Sequence, residues 1–87
     1  MKRRSNLAQL NGKTIRINCP VLLKRDRENP YDVDAVGVYS KDGGDLQGWL
    51  YKKDNNRVHV LKKLETALSI AGEMRLVDGK PVVEFWL

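Results

Sequence analysis

From Lys13 the chain settles into a period of two: Ile15 and Ile17 alternate with Thr14, Arg16 and Asn18. That pattern predicts a strand. Pro20 interrupts it, and Val21-Leu22-Leu23 leads a second strand into the charged run Lys24-Arg25-Asp26. Residues 26–34 form a loop around Pro30. Ala35, Val36, Val38 and Tyr39 predict a third strand, which ends at Lys41-Asp42-Gly43-Gly44, and residues 46–51 predict its return partner. Asp-Gly and Gly-Gly punctuate hairpins because the tight turns that match strand twist need positive φ. Asp54-Asn55-Asn56 offer N-cap side chains. After them Val60, Leu61, Leu64, Ala67 and Leu68 recur at three-four spacing, which predicts a helix with one buried stripe. Val58-His59-Val60 also fits a strand. Gly72 interrupts this segment, and residues 73–77 and 81–87 then flank Asp78-Gly79-Lys80, a second hairpin signal. Residues 1–10 lack strong periodicity and read as loose or locally helical, with residues 1–11 a flexible basic arm. The sum is a mainly β (α+β) chain of five or six short strands and one or two short helices. A small antiparallel barrel or curled sheet is its natural architecture.

Composition narrows the classes. Eighty-seven residues bound a single domain whose core is large enough to fold but not to spare. No apolar run is long enough to cross a bilayer, and no apolar segment follows Met1-Lys2-Arg3-Arg4-Ser5 as in a secretory signal. The single cysteine, Cys19, and the single histidine, His59, supply neither an internal disulfide nor a structural zinc site. A reducing, cytoplasmic setting in a bacterium or phage is the expectation. Cys19 reads as a small strand residue beside Pro20, with a reactive thiol as the alternative. Residues 1–27 hold eight Lys/Arg and one acid, whereas residues 28–87 hold eight Lys/Arg and ten acids. A basic half on a near-neutral body is an electrostatic footprint for a polyanion, or else a set of solvated solubility charges.

The chemistry concentrates at Asn29-Pro30-Tyr31-Asp32. Proline fixes the turn and lowers the entropy cost of presenting the ring that follows. Tyr31 can stack on a nucleobase, worth about 1–3 kcal/mol per base, or pack on its own loop. Asp32, ionised, accepts hydrogen bonds: a terminal sugar hydroxyl fits it and a terminal phosphate is repelled. Alternatively, Asp32 or Asp34 closes an Asx-turn. Arg25, Arg27, Lys52 and Lys53 flank the loop and suit phosphate oxygens, or form surface ion pairs with neighbours such as Glu28 and Asp54. Trp49 and Trp86 lie in strand patterns; the core takes one, and the other could widen a stacking surface. His59 reads as solvent-facing. No paired-carboxylate motif, phosphate-binding glycine loop, nucleophile elbow or metal cluster is present, so a non-enzyme without metal or cofactor is expected.

Arg25-x-x-x-Asn29-Pro30-Tyr31-Asp32-x-x-Ala35-Val36-x-Val38, followed by Gly48-x-Leu50 and the ending Glu84-Phe85-Trp86, resembles the HIRAN domain over roughly residues 21–87. The resemblance implies a small barrel similar to an OB-fold. It also implies single-stranded DNA binding with recognition of a free 3′ hydroxyl end, in DNA repair, replication or phage DNA metabolism. HIRAN domains are found fused to fork-remodelling helicases and as free-standing proteins in bacteria and phages, so a helicase or nuclease partner is implied too. By position, Tyr31 would meet the terminal nucleotide, Asp32 would accept its 3′ hydroxyl, Lys52 would meet the phosphate backbone, and Phe85 would line the base pocket; Asn29 belongs to the same motif. The chain departs from the family at Leu7-Ala8-Gln9-Leu10-Asn11-Gly12, which lacks the aromatic residues of the family's first strand. Trp49 also stands where DNA-binding members can carry histidine. The rival expectation is a protein-interaction or regulatory module whose exposed strand edges pair with a partner strand. A third is general nucleic-acid binding through the basic half.

Overall fold

Two turns fix the register of most of the sheet. Asp78 and Gly79 both adopt positive φ (50° and 77°) and fold β5 (Ile70–Val77) onto β6 (Lys80–Trp86) with Val77 opposite Lys80. Gly43 and Gly44, at φ 87° and 70°, return β3 (Val36–Ser40) into β4 (Leu46–Leu50). The computed structural model describes residues 1–8 and 15–87. Two further strands, β1 (Lys2–Ala8) and β2 (Pro20–Arg25), complete an antiparallel barrel closed in the order β1-β4-β3-β2-β5-β6, with one helix, α1 (Arg57–Lys63). This is the small OB-like barrel expected from the sequence, mostly β, and α1 is far too short to cross a membrane.

Inward alternation builds the core. Val21 and Leu23 of β2, Val36 and Val38 of β3, Ile70 and Met74 of β5, and Val83 and Phe85 of β6 are buried together with Leu7 and Leu50. Val60 of α1 and Leu64, which caps its C-terminus, join them. Each such side chain contributes roughly 1.5–3 kcal/mol through burial, against about 0–1 kcal/mol for an exposed ion pair, so the apolar lining decides the fold. Gly72 lies within β5 rather than interrupting it. A Cβ at this position would stand 2.6 Å from the Glu84 carbonyl oxygen, so only glycine allows β5 and β6 this approach.

Several expectations are corrected. Residues 2–8 are a strand, not a loose or helical arm: β1 pairs with β6 from Lys2↔Trp86 to Asn6↔Val82 and with β4 at Leu7↔Leu50. Its apolar content is only Leu7 and Ala8, and the strand is held largely by backbone pairing and by charge. Glu84 of β6 gathers Lys2 (3.4 Å), Arg4 (2.9 Å) and, from β5, Arg75 (3.4 Å). The strand expected over Lys13–Asn18 does not form where it is described: Ile15 and Arg16 are irregular and Ile17-Asn18 make a turn, with Asn18 at φ 60°. Lys13 and Thr14 lie outside the described residues. Cys19 is half-buried after that turn, its Sγ donating to the Arg16 carbonyl at 3.1 Å.

The helical reading of residues 57–63 holds over the strand alternative, with His59 exposed on it. The stripe ends early. After Leu64, the Glu65 and Thr66 N–H groups donate three residues back, to Lys62 and Lys63. This tighter winding leaves the α-helical phase, and Leu68 is 96% exposed. Neither tryptophan belongs to the core: Trp86 is 64% exposed and Trp49 half-buried.

Gly72→Ala should lower stability by about 1–3 kcal/mol, the cost of forcing an extra methyl into close packing. In thermal denaturation followed by circular dichroism this is a fall of at least roughly 4 °C in Tm. An unchanged Tm would show that β5 and β6 do not meet as described.

Candidate nucleic-acid interface

The loop between β2 and β3 is built by its own side chains. Asn29 Oδ1 accepts the N–H groups of Tyr31 (2.9 Å) and Asp32 (3.1 Å), and Asp32 Oδ1 accepts that of Asp34 (2.9 Å). These are Asx-turns, which rigidify a loop without regular structure. Its base is closed by the Asp26 N–H on the Ala35 carbonyl (2.7 Å) and by the Ala35 N–H on the Asp32 carbonyl (3.1 Å). Arg25 braces the far side, its Nε donating to the Val33 carbonyl (3.3 Å) and its guanidinium bonded to Asp34. The loop therefore presents Tyr31 at 93% exposure from a fixed frame.

Asp32 has a second partner. Its Oδ2 receives the Arg57 guanidinium at 2.8 Å, from the first residue of α1. Arg57 is nearly buried, with 10% of its side chain exposed. That hydrogen bond, then the one from the Asp34 N–H, holds the Asp32 carboxyl below the usual carboxylate range, and the positive charges of Arg57 and Lys52 add to the effect. Asp32 is thus ionised at neutral pH.

A cleft of about 390 Å³ opens between loop and barrel, lined by Asn29, Tyr31, Asp32, Trp49, Tyr51, Lys52 and Arg57 with Ala8, Ala35 and Leu50 as its apolar parts. Trp49 is fixed there by its indole N–H donating to Asp26 Oδ2 at 3.1 Å. Asp32 and Arg57 compensate each other, which leaves the Lys52 ammonium as surplus positive charge. Two aromatic rings besides Tyr31, a carboxylate, an amide and two cations are the functional groups that a nucleotide requires: stacking faces, a hydroxyl acceptor and phosphate donors.

Of the residues singled out in the sequence, the structure brings Asn29, Tyr31, Asp32 and Lys52 to this cleft. Lys53 lines a neighbouring groove instead. Arg25 is engaged in bracing the loop, and Arg27 is exposed outside the lining. Phe85 is not a pocket residue: at 1% exposure it points into the barrel, opposite Arg3 of β1 and Gly72 of β5. The basic excess of residues 1–27 is also partly internal, since Lys2 and Arg4 meet Glu84 and Lys24 lies 5.6 Å over the Tyr39 ring. Sequence reading missed Arg57, which follows the Asn55-Asn56 signal and reads there as an ordinary helix-surface cation. It also missed Tyr51 and the cleft placement of Trp49. Compared with protein-family models, curated proteins and solved structures, the chain has no match.

The Asp32–Arg57 pair should be visible in titration. A depressed folded pKa means that the pair contributes stability above the ordinary carboxylate range, lost as pH falls through the lower folded value. NMR titration of the Asp32 carboxyl should give a midpoint below that of an unstructured aspartate, and Arg57→Gln should move it upward. An identical midpoint in the variant would dissolve the pairing.

Proposed function

We propose that this chain is a non-catalytic binding module for single-stranded DNA that receives a free 3′ hydroxyl end, serving DNA repair, replication or phage DNA metabolism. The observation that carries the reading is the convergence on one cleft of Tyr31, Trp49, Asp32, Asn29, Lys52 and Arg57, drawn from the β2–β3 loop, β4, the turn that follows it and the start of α1. The terminal base stacks on an aromatic face, and the phosphate that precedes it meets Lys52 and Arg57. The 3′ hydroxyl donates to Asp32. An ionised carboxylate has roughly four acceptor positions, and the Asp34 N–H and Arg57 occupy two, so capacity remains for a hydroxyl. The resemblance to HIRAN domains around Asn29-Pro30-Tyr31-Asp32 supports the same reading, including a helicase or nuclease as the functional partner. The rival protein-interaction reading relied on exposed strand edges. Each described strand has a hydrogen-bonded neighbour on both sides in the barrel, which counts against that route without bearing on other protein contacts.

Fluorescence anisotropy at low salt should show a short single strand ending in a 3′ hydroxyl binding about 10- to 100-fold more tightly than its 3′-phosphate counterpart. That is the scale of one hydrogen bond to a charged group. Asp32→Asn should abolish the preference, and Tyr31→Ala should weaken both strands about 5-fold or more. Equal binding to every polyanion would reduce the site to a basic surface. No binding at all would favour a protein-interaction module.

A further inference from the structure

The chain leaves β4 at Leu50 and turns at once. The Asp54 N–H donates to the Tyr51 carbonyl at 3.0 Å, which folds residues 51–54 into a tight turn. This turn separates two neighbouring lysines: Lys52 lines the cleft described above, whereas Lys53 lines a second hollow. The second hollow is a groove of about 580 Å³ across β1, lined by Arg4, Asn6, Lys53, Asn55 and Asn56. Tyr51, 52% exposed, lines both.

The groove is a built feature. Asn56 Nδ2 donates to the Arg4 carbonyl (3.0 Å) and to Ser5 Oγ (2.8 Å), tying the segment before α1 onto β1. Asp54, also on the rim, directs Oδ1 to the Asn56 N–H at 2.7 Å, and Arg4 carries its guanidinium to Glu84. Lys53 is then the cation of the groove with no ion-pair partner among the described residues. Apart from the Tyr51 ring, the lining side chains end in amide, hydroxyl or charged groups.

We infer that the cleft and the groove form one track, in which the cleft holds the last nucleotide of a single strand and the groove holds the nucleotides next to it. The inference rests on the function proposed above. Tyr51, at the junction, stacks the base adjoining the terminal one. Lys53 meets a phosphate, and Asn55 and Asn6 offer amides to sugar or base edges without fixing sequence. Stacking and phosphate contacts are the sequence-tolerant means by which single strands are held.

The test is a length series: a deoxynucleoside 5′-monophosphate and single strands of two, three and four nucleotides, all with a free 3′ hydroxyl, titrated against the whole protein by calorimetry. Affinity should rise about 5- to 150-fold from one nucleotide to three, the range for one stacked base. Tyr51→Ala should bring that gain to within about 2-fold, while Tyr51→Phe should keep it. Lys53→Gln should lower the salt slope for three nucleotides but not for one. Two results overturn the track alone: no gain with length, or a Tyr51→Ala loss that is equal at every length. Failure of every ligand, the four-nucleotide strand included, overturns the track together with the function on which it rests.

Discussion

The carboxylate of Asp32 is the joint on which the site depends. One oxygen closes the turn at Asp34 and the other holds Arg57, so a single side chain connects the β2–β3 loop to the first residue of α1. Neither element is long enough to position itself. The loop has no regular structure, and a seven-residue helix is marginal in isolation. Val60 and Leu64 anchor the helix in the core, and Arg25 and Asn29 brace the loop; Asp32 then sets the distance between the two. The width of the cleft follows from that distance.

A second carboxylate performs a comparable task for the barrel. Glu84 has Arg4 as its strongest partner, which keeps it below the usual carboxylate range, and it also draws in Lys2 and Arg75. The three cations come from both neighbours of β6. Charge thereby recruits β1, a strand with little apolar surface, to close the sheet. Closure matters for the candidate site because β1 supplies the floor of the groove beside the cleft.

The legible part of this chain is the part in which hydrophobic period and turn chemistry agree. The β3–β4 and β5–β6 hairpins announce themselves through Gly43-Gly44 and Asp78-Gly79, whose positive φ values are those that such turns demand. The loop residues Asn29, Tyr31 and Asp32 were legible because proline and Asx chemistry are local. β1 was not: Lys2, Arg3, Arg4 and Asn6 carry no apolar alternation, and their pairing depends on a strand some eighty residues away. Conversely, Ile15 and Ile17 alternate as a strand would but fall in irregular chain and a turn, and only at Asn18 and Cys19, among the described residues of this segment, does the backbone pair with β5, through Met74. Arg57 and Tyr51 were invisible for a related reason. Their significance lies in what tertiary structure places opposite them, and nothing in the sequence near them records it. Phe85 misled because a family position was carried over without the strand's inward phase.

For the function proposed above, the pairing of Asp32 with Arg57 also changes how end discrimination would work. A bare carboxylate would reject a terminal phosphate through like-charge repulsion. Here Arg57 stands 2.8 Å from that carboxylate, and Lys52 lies in the same cleft. Their positive charges would offset much of that repulsion and attract the phosphate that precedes the terminal sugar in the proposed complex. Selectivity is left to hydrogen-bond matching. A hydroxyl gives Asp32 a donor in place of the water it loses, whereas a dianionic phosphate gives it none and leaves acceptor facing acceptor. In the binding mode proposed above, the site would hold the strand where it is generic, at its phosphates and base faces, and select at one oxygen, the Asp32 acceptor.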